Sequence, residues 1–296
     1  MKIGLLGTGK MGSAIAERLI DSGHSLTVWN RSADKTEALA KRGATVAASP
    51  AELVEASEII LSILTDADAI ETVYFGAAGA MSTALAGRLF IEMSTVRPAT
   101  EVALAQRIEA HGGKMIECPV GGTIGPARDG KLFGLVGGET EDVERARPLL
   151  LQMCRRVEHV GPVGAGASLK LAINLPLLVY WQALSEALAL AAPAGLDPVR
   201  LMDIIGDTSG APALLKFRGP VVATALAGKP LEAAHFNIDS IRKDLRTMLE
   251  EATSLGYALP TAAAAMASFD AAAQDGMGSR DGAELAAWWL ARAGSK

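Results

Sequence analysis

Apolar and polar positions follow two interleaved rhythms over the first 160 residues. Short, nearly continuous apolar runs predict strands at 2–6, 25–30, 58–64, 89–93, 114–117, 133–136 and 157–160. Runs apolar at most positions mark parallel strands covered on both faces. Helical spacing between them predicts 11–22, with Ile15, Leu19 and Ile20 on one face, and also 35–42 and 51–56. Strand alternating with helix reads as a doubly wound α/β domain.

After Gly164 the rhythm is helical only. A long helix is expected over 167–192, kinked at Pro176, because proline removes an interior hydrogen bond. Further helices are expected over 198–205, 211–225 (broken at Gly219-Pro220), 238–255, 260–275 and 283–293. The boundary therefore falls near residues 162–166, with an α/β domain over 1–163 and an all-α domain over 164–296. A chain of 296 residues suits two domains at roughly 150 each.

Composition narrows the partners. Half the residues are hydrophobic and 21% are charged, which excludes disorder over most of the length. The net charge is -5 and no basic tract exceeds two residues, so nucleic acid is not an expected partner. Two cysteines, Cys118 and Cys154, make no disulfide framework and suit a reducing compartment. The N-terminus lacks the h-region of a signal peptide. Pro176 and Glu186 interrupt the best spanning candidate, 175–192, so a soluble, cytoplasmic protein without a membrane partner is expected. The four histidines show no ligand spacing with the cysteines, and Asp66 with Asp68 lacks further oxygen ligands, so no metal site is expected.

The first candidate chemistry is a loop. Gly7-Thr8-Gly9-Lys10-Met11-Gly12 fits G-x-G-x-x-G, following the first strand and opening the first helix. The first glycine permits a tight turn, the second admits a pyrophosphate against the backbone, and the third lets helix and strand pack closely. An NAD site wants Asp or Glu about twenty residues on, at the end of the second strand. Here that stretch reads Asn30-Arg31-Ser32. A guanidinium flanked by a neutral amide and a hydroxyl suits a 2′-phosphate, so the expected cofactor is NADP, with NAD as the less favoured form. Leu64-Thr65 and Thr95 follow apolar strands, at the carboxyl ends where an open α/β sheet binds its ligand.

The second is a lysine. Lys170 and Asn174 are four apart near the start of the long helix and share one face. A lysine on the buried side of so apolar a helix would be desolvated, and its pKa would fall from about 10.4 toward neutrality, where it can pass protons. Spacing alone favours the alternative, a surface lysine near a helix start.

Four blocks in order resemble the β-hydroxyacid dehydrogenases, a family that includes 3-hydroxyisobutyrate dehydrogenase, tartronate semialdehyde reductase and glyoxylate/succinic semialdehyde reductase. They are Gly7 to Gly12; Glu117-Cys118-Pro119-Val120-Gly121-Gly122-Thr123, with Ala127 and Gly130; Gly164 to Asn174; and Phe236 with Lys243-Asp244-Leu245. The resemblance covers essentially the whole chain. It implies a Rossmann-type doubly wound sheet followed by an all-α C-terminal domain that closes the site, and the long helix carries more apolar surface than one subunit's helices can cover, so a homodimer or tetramer is expected. It implies Lys170 as general acid/base, Asn174 orienting lysine and substrate, and Gly121, Gly122 and Thr123 on the substrate carboxylate. Leu64, Thr65 and Thr95 would line the cofactor, Thr95 also the substrate, and Lys243 would reach the nicotinamide. The implied substrate is a short β- or ω-hydroxy acid or the matching aldehyde acid.

Departures from the family pattern bear on substrate identity. Gly121 stands where the signature usually carries Ser, Glu117 where it carries Asp, and Ile173 where a first Asn precedes Asn174. Two rivals share the cofactor loop: an imine reductase, which usually lacks the lysine matching Lys170, and a non-catalytic NADP-binding sensor.

Overall fold

The computed structural model describes residues 1–293. It separates into two compact units, Met1–Leu171 and the remainder from Ala172. The first unit runs β1 (Lys2–Leu6), α1 (Lys10–Asp21), β2 (Ser25–Trp29), α2 (Glu37–Lys41), β3 (Thr45–Val46), α3 (Pro50–Ala56), β4 (Ile59–Ser62), α4 (Ala67–Phe75) and β5 (Leu89–Glu92). It continues through α5 (Pro98–Ala110), β6 (Lys114–Glu117), β7 (Val120–Gly121), α6 (Ile124–Arg128), β8 (Leu132–Gly137), α7 (Thr140–Met153) and β9 (Cys154–Gly161) into α8 (Ala165–Ala191).

The sheet order is β3-β2-β1-β4-β5-β6-β8-β7, with β9 paired to β8. Strands β1 to β6 are parallel to their neighbours, whereas β8 is antiparallel to β6 and β7. Strand order reverses between β1 and β4, which makes the carboxyl ends of these strands the crevice of a doubly wound sheet.

The apolar runs are continuous because both sheet faces are covered. Ile3, Leu5, Leu61 and Ile91 pack on one face with Ile15 and Leu19 of α1 and Leu149 and Leu150 of α7. Leu6, Ile60, Phe90 and Met115 pack on the other with Leu53 of α3, Tyr74 of α4, and Leu104 and Ile108 of α5. Each such side chain contributes about 1.5–3 kcal/mol on burial.

The apolar rhythm predicts none of α4, α5, α6 and α7. The reason is visible in α5, whose buried stripe Glu101, Leu104, Ala105 and Ile108 has a carboxyl group where an apolar side chain belongs. Local chemistry starts two of the short helices. Ser49 accepts from the Glu52 N–H ahead of α3, with Pro50 in its first turn, and Asp66 accepts from Ala69 N–H ahead of α4. Asp66, weighed above as a metal ligand, is thus a helix cap.

From Ala172 the chain is helical: α9 (Pro198–Gly206), α10 (Leu214–Leu226), α11 (Ile238–Ser254), α12 (Pro260–Ala272) and α13 (Leu285–Ala293) follow α8. The expected break at Gly219-Pro220 does not occur. Proline removes one hydrogen bond, and buried Leu215, Val222 and Ala223 on either side hold the remaining turns of α10. Helix α8 is one long helix with Pro176 inside it, as expected. Helix α12 ends three residues earlier than its spacing predicts, and Gly276 takes φ +84° in the wide turn beyond. Asp281 and Glu284 form a capping box before α13. Judged by mean hydropathy (1.4) instead of by uninterrupted runs, Ala165–Ala194 is long and apolar enough to cross a membrane, by length and composition only.

Candidate active site

The predicted cofactor loop lies at the carboxyl end of β1. Gly7 takes φ +95°, a left-handed conformation, and donates its N–H to Trp29 O at 2.9 Å, joining it to the end of β2. A Cβ at Gly12 would overlap the Gly7 carbonyl oxygen, so helix and loop pack at glycine distance. Gly9 differs, because a Cβ there would meet no atom within 4 Å. It is also the N-cap of α1 and makes no side-chain cap bond. Thr8 Oγ1 is buried without a hydrogen-bond partner. Open space over a helix N-terminus, beside an orphaned hydroxyl, fits a dinucleotide's pyrophosphate.

At the end of β2, Asn30 is used internally. Its Oδ1 accepts from Thr8 N–H at 3.0 Å and its Nδ2 donates to Ser32 O at 3.0 Å. The amide therefore ties the two loops together beside Arg31. Arg31 is exposed and makes no ion pair among the described residues. Lys10 is exposed, Met11 half-buried.

Leu64 and Thr65 follow β4, and Thr95 follows β5. These ends are held by a polar row absent from the predicted set. In register across the sheet stand Leu6, Ser62, Glu92, Glu117 and Gly137. Glu92, fully buried, accepts from Ser62 Oγ at 2.5 Å, from Ser94 N–H at 2.9 Å, and from the Ser94 hydroxyl. Ser94 Oγ in turn accepts from Leu64 N–H at 2.7 Å, so Glu92 fixes the loop that carries Leu64. Tyr74 OH lies 2.6 Å from Ser62 Oγ. Burial pushes the Glu92 carboxyl up, against the bonds from Ser62 and Ser94. Glu101 is also fully buried and neither of its oxygens has a hydrogen-bond partner. Burial first, then the charges of Glu92 and Glu117, hold it well above the usual carboxylate range. The sequence signal for this row is a glutamate closing two otherwise apolar strands.

The predicted substrate loop follows β6. Gly121 sits in β7, and a Cβ there would meet only ordinary van der Waals contact with Phe133. Gly122 takes φ +129°, which favours glycine, and Gly122 and Thr123 are exposed.

Lys170 lies in the second turn of α8 and is 8% exposed. Four residues on, Asn174 is half-buried. The unit boundary falls between them, inside the helix, where the chain's own pattern suggested the 162–166 turn. The first turn of α8 belongs with the sheet because Glu117 accepts from Gly164, Gly166 and Ala167 N–H at 2.6, 2.8 and 3.0 Å. Lys243 belongs to the second unit, on α11, with its ammonium 2.5 Å from Asp244 Oδ1. The first unit thus brings Gly7 to Gly12, Asn30 to Ser32, Leu64, Thr65, Thr95 and the Gly121–Thr123 loop to one edge of one sheet.

Comparison with known proteins fits this geometry. Residues 2–161 match the family model for the NAD binding domain of 6-phosphogluconate dehydrogenase. Residues 164–289 match the model for the NAD-binding region of NADP-dependent 3-hydroxyisobutyrate dehydrogenase. Arabidopsis thaliana glyoxylate/succinic semialdehyde reductase 1 is 33% identical over 95% of this chain and 96% of its own. The 3-hydroxyisobutyrate dehydrogenase of Pseudomonas aeruginosa is 33% identical over 92% of each chain. The crystal structure of the Salmonella typhimurium 3-hydroxyisobutyrate dehydrogenase superposes with a TM-score of 0.86 at 25% identity, covering 97% of this chain and 99% of that one. These matches define an NAD(P)-dependent oxidoreductase with a Rossmann-type domain and a helical C-terminal domain. The chain belongs to the β-hydroxyacid dehydrogenase family.

Proposed function

We propose that this protein reduces a short aldehyde acid, of the glyoxylate or succinic semialdehyde class, to its hydroxy acid with NADPH, and runs the reverse oxidation on a β-hydroxy acid such as 3-hydroxyisobutyrate. The observation that carries the reading is a buried lysine, Lys170, one helical turn before Asn174 on α8. A fully surface-exposed lysine would have favoured the bland alternative.

The nicotinamide supplies the hydride, and the protein supplies geometry and a proton. Lys170 donates a proton from its ammonium to the carbonyl oxygen of the substrate, which becomes the hydroxyl. Asn174 orients that exchange by hydrogen bonding. The backbone N–H groups of Gly121 to Thr123 and the Thr123 hydroxyl take the carboxylate. Thr95 lines cofactor and substrate, and Lys243 supports the nicotinamide side. Gly9 gives the pyrophosphate room, and unpaired Arg31 takes the 2′-phosphate. Preference for NADPH favours the reductive direction.

The apolar surface of α8 supports self-association as a dimer or tetramer. Leu169 and Ile173 are exposed, and Leu190 is 85% exposed. Light scattering after size exclusion should give more than one chain mass, and Leu190→Glu should reduce it.

The functional test is oxidation of NADPH, with NADH in parallel, against glyoxylate, succinic semialdehyde and related aldehyde acids. Lys170→Ala should lower kcat by roughly 10²–10⁴-fold and leave NADPH affinity intact. No turnover of any aldehyde acid, or an active Lys170→Ala enzyme, overturns the reading, and turnover of cyclic imines instead would make the protein an imine reductase.

A further inference from the structure

Glu117 closes β6 and is fully buried. Its carboxylate makes the three bonds to α8 already given, to the N–H of Gly164 before the helix and of Gly166 and Ala167 in its first turn. These donors have no partner inside a helix, and its N-terminus carries positive partial charge. One side chain from the sheet therefore satisfies three of them.

The space for that carboxylate is built by two glycines. A Cβ at Gly137, the register partner of Glu117 on β8, would overlap Glu117 Oε1. A Cβ at Gly166 would stand 3.2 Å from the same oxygen and would overlap the Leu135 carbonyl. Any larger residue at either position displaces the anchor or the helix.

The anchored turn lies directly beneath the one that carries the lysine. Lys170 follows Gly166 by four residues and Ala167 by three, so it lies on the same face, one turn above the bonded N–H groups. The height and rotation of that turn about the helix axis are fixed by the two carboxylate oxygens, and the lysine's backbone goes with it.

We propose that Glu117 is a positioning residue for Lys170: its carboxylate sets the first turn of α8 on the end of β6 and so aims the lysine that exchanges the proton. The proposal rests on the catalytic reading of Lys170. It assigns Glu117 no contact with substrate or cofactor.

Glu117→Gln keeps the volume but satisfies at most two of the three N–H groups, because its amide nitrogen presents donors to donors. Glu117→Asp keeps the charge on a shorter arm. Hydrogen exchange at residues 162–171 should accelerate roughly ten- to hundredfold in Glu117→Gln, the opening expected when a charge-assisted bond is lost. Against NADPH and glyoxylate or succinic semialdehyde, kcat should fall roughly ten- to hundredfold, the scale of a small misplacement of a catalytic group. KM and NADPH affinity should stay near wild type, and Glu117→Asp should recover part of kcat. In a Lys170→Ala background, Glu117→Gln should cost nothing further, because it acts through that lysine.

Unchanged exchange, full kcat despite faster exchange, or equal losses of kcat and NADPH affinity would each overturn the proposal. So would independent multiplication of the two substitutions. An active Lys170→Ala enzyme removes the catalytic reading, and the positioning role with it. An inactive Lys170→Ala beside a fully active Glu117→Gln removes the positioning role alone.

Discussion

At the carboxyl ends of β1 and β2 the chain shapes its loops with backbone and neutral amide groups: glycines at 7, 9 and 12, and Asn30 bridging Thr8 and Ser32. At the ends of β4, β5 and β6 it uses buried carboxyl groups: Glu92 holding Ser62, Ser94 and through it Leu64, and Glu117 holding α8. The first end is the one proposed to receive the pyrophosphate, and a fixed negative charge there would repel it. The second end holds loops and a helix N-terminus whose N–H donors need acceptors, and carboxylates are the strongest acceptors available. The same edge of one sheet thus separates open, glycine-shaped backbone from internally consumed carboxyl groups.

The sharpest way to break the first end is Gly12→Ala, because the added methyl overlaps the Gly7 carbonyl. NADPH affinity should fall more than about a hundredfold, or the first unit should fail to fold, as overpacking against backbone demands. Gly9→Ala sharpens the point. Its methyl meets no protein atom, so the melting temperature should stay within about 1 °C while NADPH affinity drops at least roughly tenfold. Equal melting losses for the two variants would show that Gly9 is structural. Next in size, Arg31→Ala should cut the preference for NADPH over NADH by roughly tenfold, and Kd values for both cofactors would measure it.

The carboxylate end gives smaller, pH-dependent effects. Ser94→Ala leaves Leu64 N–H without its acceptor and removes one of the two bonds from Ser94 to Glu92, costing about 1–3 kcal/mol by denaturant unfolding. Glu101 should act in the opposite sense. Its folded carboxyl is held well above the ordinary range, so the native state keeps a proton that the unfolded chain releases. Stability is therefore fully present below the unfolded pKa and is lost as pH rises toward the folded one. Glu101→Gln should raise the melting temperature at pH 8 by a few degrees and leave it almost unchanged at pH 4. A variant less stable than wild type at pH 8 would show that Glu101 makes a compensating interaction.

Much of the first unit was legible because strands covered on both faces must be apolar and loops that bind phosphate must be glycine-rich. Both signals are local. Helices α4, α5, α6 and α7 were not assigned: Glu101 sits inside the buried stripe of α5, and Pro148 sits inside α7. The glycine turn was legible from local spacing, whereas the burial of Lys170 was not, since it depends on packing that spacing does not reveal. Residue type alone does not reveal that both ends of the Asn30 amide are bonded to Thr8 and Ser32. The anchoring by Glu117 was hidden for a different reason. It joins residues 47 to 50 apart in the chain, and only the end of a strand meeting the start of a helix makes the pair.

The fit of Glu117 among glycines has a consequence for how this sequence can vary. Residue 117 can reach the helix only while 137 and 166 remain glycine, and the Pro162 and Leu135 carbonyl oxygens exclude a Cβ at the same two positions. Position-by-position mutagenesis will score each of the three as intolerant. Three positions far apart in the chain therefore constitute one heritable character.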